Sequence, residues 1–231
     1  MYDIFVVGTG GTGTFFINVF SRFLTANRTF VRNLYLIDGD TVEEKNIERQ
    51  SFLKEDVGRP KSVVMAEALN EAFDLNWKAV DRFLLKKEQI LDLTDTKAVP
   101  VLIGCVDNHA CRLVLEKVFK AKRDIIYLDS ANEFSSGEVV FGVKRKGRII
   151  SPCRSHFFKD ILQGDKRDVT QMSCEELNNA APQHIATNMM AGCFLLIEVC
   201  KILSGETGFG YVAFDTSDFS SEAYCREGVA A

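Results

Sequence analysis

The stretch Ile4-Phe5-Val6-Val7-Gly8-Thr9-Gly10-Gly11-Thr12-Gly13 decides the fold. Four apolar residues run straight into a glycine cluster with the spacing Gly-x-Gly-x-x-Gly. Behind it Phe15, Phe16, Val19, Phe20, Phe23 and Leu24 recur at helical spacing. Strand, glycine turn and helix make the first half of a βαβ unit. Gly8, Gly10, Gly11 and Gly13 let the backbone approach a phosphate, and free N–H groups at a helix start favour negative charge there.

Working outward, a second apolar run, Leu34 to Ile37, ends at Asp38-Gly39-Asp40 and completes the unit. Asp38 follows Gly13 by 25 residues, where a carboxylate can accept hydrogen bonds from ribose hydroxyls. So far the pattern suits NAD or FAD as well as a nucleoside triphosphate. Pro60 then starts a helix with Val64, Ala68 and Ala72 on its apolar face. Residues 78–84 read as a third strand and 100–103 as a fourth, and a helix runs through Arg112, Leu115 and Val118 before a strand at Ile125 to Leu128. This alternation predicts a Rossmann-like α/β fold, its mostly parallel sheet covered by helices on both faces.

The pattern changes at residues 137–151, which read as a hairpin and so as an antiparallel C-terminal extension. Residues 151–182 read as a crossover loop, about Ile185 to Leu203 as a long apolar helix, Tyr211 to Phe214 as a closing strand, and 219–231 as a loose tail. The whole of 1–231 is expected to be one domain. A net charge of −4 argues against a nucleic-acid partner. No unbroken apolar run is long enough to cross a bilayer and no leader precedes Ile4, so a cytoplasmic protein without a membrane partner is expected. Seven cysteines without framework spacing suit reduced thiols.

Chemistry concentrates in residues 38–50, Asp-Gly-Asp-Thr-Val-Glu-Glu-Lys-Asn-Ile-Glu-Arg-Gln, followed by Gly58 and Lys61. A dehydrogenase has no use for Arg49 and Lys61 beyond the ribose carboxylate, whereas a triphosphate needs matching cations. Asp107-Asn108 ends the fourth strand, and strand C-termini in an open parallel sheet line one crevice. Asp107 there offers the hard oxygen that Mg²⁺ on a triphosphate takes.

Together Gly8 to Gly13, Asp38 to Gln50, Gly58 to Lys61 and Asp107 to Arg112 resemble the ThiF/MoeB/ubiquitin-activating family, with Asp129 to Phe141 and Ala181-Pro182-Gln183 through Asn188 also similar to it. Within it the sequence is similar to the ThiF-family proteins of a bacterial PRTRC gene system. The resemblance implies ATP-dependent adenylation of the C-terminal glycine carboxylate of a ubiquitin-like partner, in a homodimer. It implies that Gly10 and Gly11 lie against ATP and that Asp38, with Asp40 beside it, holds the ribose side. It places Asn46, Arg49 and Lys61 on the phosphates, Asp107 on Mg²⁺, and Asn108 near the nucleotide.

Three departures follow. Relatives of the MoeB kind carry an arginine on an N-terminal helix; here that arginine is expected to be absent or replaced, and Arg22 and Arg28 are candidates that nothing in the sequence singles out. Relatives often hold zinc through two C-x-x-C pairs; Cys153-x-x-His156, with Cys174 or His184, is too little to expect zinc. Some relatives pass the acyl group to a cysteine in the crossover; Cys174 is that candidate, Cys153 its rival, and ordinary thiols the third reading. The other functions weighed are a non-catalytic nucleotide-binding scaffold, adenylation of a small molecule or tRNA base, and a Rossmann oxidoreductase.

Overall fold

The computed structural model describes residues 1–163, 184–206, 208 and 210–224. Five strands run parallel: β1 (Tyr2–Val7), β2 (Val31–Ile37), β3 (Trp77–Val80), β4 (Val99–Gly104) and β5 (Ile125–Asn132). Four continue the sheet in antiparallel fashion: β6 (Ser136–Arg145), β7 (Arg148–Ser151), β8 (Gly210–Asp215) and β9 (Ser220–Tyr224). Their order is β3-β2-β1-β4-β5-β6-β8-β9, with β7 on β6. The expected α/β architecture is present, antiparallel extension included.

β1 takes a central place because both of its faces are apolar. Ile4 and Val6 join one core cluster with Phe16, Phe20, Leu36 and Val101. Phe5 and Val7 join the other with Ile37, Leu102, Leu115 and Phe119. Side chains alternate along a strand, so a strand buried on both faces reads as an unbroken apolar run. Helices α1 (Gly11–Asn27) and α2 (Lys61–Phe73) pack into the first cluster. α4 (His109–Ala121), which follows a short α3 (Glu88–Leu91), packs into the second. Phe16 and Phe20 are fully buried. Burying each contributes about 1.5–3 kcal/mol, so the phenylalanine stripe of α1 is core.

The crossover stretch 151–182 begins with α5 (Arg154–Phe157) and a 3-10 turn at Lys159–Gln163. It leads to α6 (Ile185–Leu203), which packs against α1. By length and composition α6 is apolar enough to cross a membrane, which corrects the expectation that no segment is. Asn188, Glu198 and Lys201 break its apolar run without making it polar on average. Its face bearing Ala191, Leu195 and Val199 is buried in the core.

Three local readings also change. β3 stops at Val80, whose carbonyl accepts from the Asp38 N–H at 3.2 Å; residues 81–84 turn out of the sheet toward the strand ends. Ser220–Tyr224, within the stretch expected to be a loose tail, is an edge strand paired to β8. All its side chains are exposed, so no apolar alternation announces it. Lys144, which reads as part of a solvated Lys-Arg-Lys turn, is buried; its Nζ donates to the carbonyls of Phe119, Lys120 and Lys122 at the end of α4.

Candidate active site

The carboxyl ends of β1, β2, β4 and β5 open onto one cleft of about 650 Å³. The glycine turn forms its floor. Gly8 has φ +93, and a Cβ there would lie 2.5 Å from the Cys105 carbonyl oxygen, so no other residue fits. Gly10 and Gly11 face the cleft. Gly13, also expected at the ligand, is not in the cleft wall: a Cβ at Gly13 would strike the Gly8 carbonyl oxygen at 2.1 Å. It serves close packing of α1 on the turn.

Asp38 sits beside that floor on a fixed carboxylate. Thr9 donates to Asp38 Oδ2 through its N–H at 2.6 Å and its hydroxyl at 2.8 Å, and the Asp40 N–H donates to Oδ1 at 2.8 Å. A carboxylate has roughly four acceptor positions, so capacity remains for a ligand hydroxyl. Lys61 opens α2; its N–H donates to the Asp40 carbonyl at 2.9 Å, and its Nζ lies 3.3 Å from Asp40 Oδ2. Burial raises the Asp40 pKa, the nearby Asp38 charge adds to that, and Lys61 opposes both.

Asn46 is buried, and its Oδ1 accepts from the Glu43 N–H at 2.9 Å, tying the loop that presents Arg49. The Arg49 N–H donates to the Asn46 carbonyl at 3.2 Å. On the β4 side Asp107 is exposed to the cleft. Asn108 is the N-cap of α4, and its Oδ1 accepts from the Cys111 N–H at 2.8 Å. That bond uses one lone pair of the amide oxygen and leaves the N–H₂ to reach a ligand. Thus Asp38, Asp40, Asn46, Arg49, Lys61, Asp107 and Asn108 all line the same cleft. Arg22 and Arg28 do not: Arg22 lies over the Phe73 ring and Arg28 pairs with Asp74.

A model of the ThiF family matches residues 1–224. The chain belongs to the ThiF family. This ThiF-family chain is 31% identical over 125 residues to ubiquitin-like modifier-activating enzyme 5 of Dictyostelium discoideum, covering 50% of the chain and 31% of that protein. It is 32% identical over 128 residues to the protein of that name from Oryza sativa subsp. japonica, covering 50% of the chain and 29% of that protein. The chain therefore spans about a third of the length of these curated relatives. Among solved structures, E. coli MccB with ATP is similar at TM-score 0.68 and 14% identity, over 96% of this chain and 63% of that one. E. coli MccB with AMPCPP and MccA is similar at 0.68 and 14%, over 99% and 65%. PaaA is similar at 0.64 and 16%, over 96% and 63%. These structural likenesses show the fold.

Several cleft residues of the ThiF-family chain lie outside the sequence reading. Phe83 and Leu85, both more than half exposed, form an apolar ledge at the cleft edge beyond β3. Gly39 makes room for it, since a Cβ there would sit 2.5 Å from the Phe83 nitrogen. Behind the β5 end lies a buried ion network. Asp129 pairs with Arg154 and, at 3.4 Å, with Arg112; Arg154 Nη1 reaches Glu138 at 2.5 Å. Burial alone would lower the Arg154 pKa, but the charges of Asp129 and Glu138 outweigh it and raise it. No local signal announced this network: Arg112, Asp129, Glu138 and Arg154 stand apart in the sequence, and their pairing spans distant segments.

The thiols divide clearly. Burial pushes Cys105 and Cys111 up to about 12, and raises Cys153 as well, so all three stay protonated and weakly nucleophilic. Cys153 belongs to the core cluster under α4, which removes it as the rival acyl acceptor. Among the described residues no group of three or more His, Cys, Asp or Glu side chains gathers as a metal site. Cys174 and Ala181-Pro182-Gln183 lie outside the described residues.

Proposed function

We propose that this chain is an ATP-dependent adenylyltransferase that activates the C-terminal carboxylate of a ubiquitin-like protein, with a peptide carboxylate as the alternative substrate. The observation that carries the reading is the meeting of Asp38, Arg49, Lys61 and Asp107 in one cleft above a glycine turn. The residues suit each part of a nucleoside triphosphate. The Phe83 ledge offers the base an apolar surface, Asp38 accepts from the ribose hydroxyls, and the free N–H groups of the α1 start face the phosphates.

The substrate carboxylate attacks the α-phosphorus of ATP, the bond to the bridging oxygen breaks, and pyrophosphate leaves with that electron pair. Negative charge grows on the phosphate oxygens, where Arg49 and Lys61 stabilise it without reorganising. No general base is needed, because the nucleophile is already ionised. Asp107, an exposed carboxylate on the cleft wall, would hold a Mg²⁺ that arrives on a polyphosphate and keeps several waters. Bound there, Mg²⁺ would neutralise charge on the leaving pyrophosphate.

The test is exchange of labelled pyrophosphate into ATP. Exchange is expected only when a candidate partner with a free C-terminal glycine is present, and Asp107→Ala is expected to abolish it. ATP binding without exchange under any partner would point to the scaffold reading. Preference for NAD over ATP would overturn the proposal. Thioester formation on Cys174 is tested separately: Cys174→Ala should spare exchange and remove only the thioester.

A further inference from the structure

The start of α1 is held from behind by a helix 176 residues later in the chain. Asn188, in the first turn of α6, is fully buried. Its Oδ1 accepts from Asn132 Nδ2 at 2.7 Å and lies 3.3 Å from Thr12 Oγ1. Thr12 Oγ1 also reaches Asn132 Oδ1 at 3.2 Å. A hydroxyl has one proton to give, so the three side chains close a ring in which Thr12 alternates between two acceptors. The other end of the Asn188 amide lies over the glycine turn. A Cβ on Gly11 would be 2.2 Å from Asn188 Nδ2 and 2.8 Å from its Cγ. That Nδ2 is buried without a hydrogen-bond partner among the described residues. A buried donor left open is unfavourable, so an apolar residue would serve simple packing better.

Thr12 and Asn132 line the cleft, and Gly11 gives α1 its first free N–H. Asn188 is not in the cleft wall. We propose that Asn188 is a positioning residue for phosphate binding. Its neutral amide seats the glycine turn through Gly11 and aims the first turn of α1 through Thr12 and Asn132. Nucleotide affinity thereby depends on how α6 is docked. The inference rests on the nucleotide reading above. It also accounts for two residue types: glycine at 11, where a side chain would collide, and an uncharged polar group at 188, where a carboxylate would set negative charge behind the phosphates.

Titration with a fluorescent ATP analogue, pyrophosphate exchange and thermal unfolding test this on the full chain. Asn188→Ala is expected to bind the analogue about tenfold more weakly, with KM for ATP raised and kcat nearly unchanged. Asn188→Asp, close in shape, should bind more weakly still. Gly11→Ala should lose binding, and adding Asn188→Ala should restore part of it, because the methyl then has room. Where Asn188→Ala leaves too little folded protein, Thr12→Val reads the same ring: it should raise KM, and Thr12→Ser should return it. Equal affinity in the wild type and Asn188→Ala, or strictly additive effects of Gly11→Ala and Asn188→Ala, would overturn the proposal. If the wild type itself binds no ATP analogue, the nucleotide reading fails instead.

Discussion

Lys61 is only 3% exposed, yet it carries its charge into the cleft with Asp40 as an ion partner. The Asp40 pKa is raised above its ordinary 3.8, chiefly by burial. The sign follows from linkage: the stability that Asp40 contributes is complete below 3.8 and is lost as pH rises through the raised folded value. In Asp40→Asn, stability should therefore climb more steeply with pH above 3.8 than in the wild type, as measured by denaturant unfolding across the acid range. Phe83 makes the opposite kind of prediction. It is 51% exposed, so Phe83→Ala should leave the unfolding midpoint nearly unchanged. Loss of base stacking should weaken ATP-analogue binding by about 1–3 kcal/mol, read by titration. Asp38 and Asp107 were legible in the sequence because each follows a strand end, and Arg49 and Lys61 because cations placed after the Asp38 carboxylate suit a triphosphate. Phe83 was not, because its residues were read as the continuation of β3, and only the ladder's end at Val80 turns them toward the cleft.

Helix α4 shows how an element is fixed at both ends so that Asp107, just before it, stays in place. At its start Asn108 caps the Cys111 N–H; at its end Lys144 reaches three carbonyls across from β6. Asn108→Ala should lower stability by about 1 kcal/mol, as N-cap truncations do, with any loss of nucleotide affinity following from displacement of Asp107. Denaturant unfolding and analogue titration on the same variant separate the two effects. The cap was visible as Asp-Asn before an apolar-periodic run, although its Asn was read as a ligand group. Lys144 was invisible, since a lysine beside Arg145 and Lys146 carries no local sign of burial. Burial came from β6 lying next to the end of α4, a contact between segments some twenty residues apart.

Across the molecule, the parallel half of the sheet was readable because each βα step is local and punctuated by glycine, proline or aspartate. The antiparallel half was readable as a hairpin and a closing strand at Tyr211 to Phe214, but not its pairing: β8 joins β6 from far along the chain, and β9 joins β8. The halves are joined by the Arg112–Asp129–Arg154–Glu138 network, which links β5, β6, α4 and α5. Arg154→Met strips Asp129 of its closest partner in the interior. It should cost about 3–5 kcal/mol, seen as a fall in the unfolding midpoint. Gly10 behaves differently from every residue in that network. Among the described residues nothing lies within 4 Å of where its side chain would stand, and its φ of −79 suits any residue. A methyl group there asks nothing of the fold and takes up room only in the cleft. Gly10→Ala would thus furnish an inert twin, as durable as the parent and unable to engage its ligand, against which every loss of activity from misfolding can be told apart.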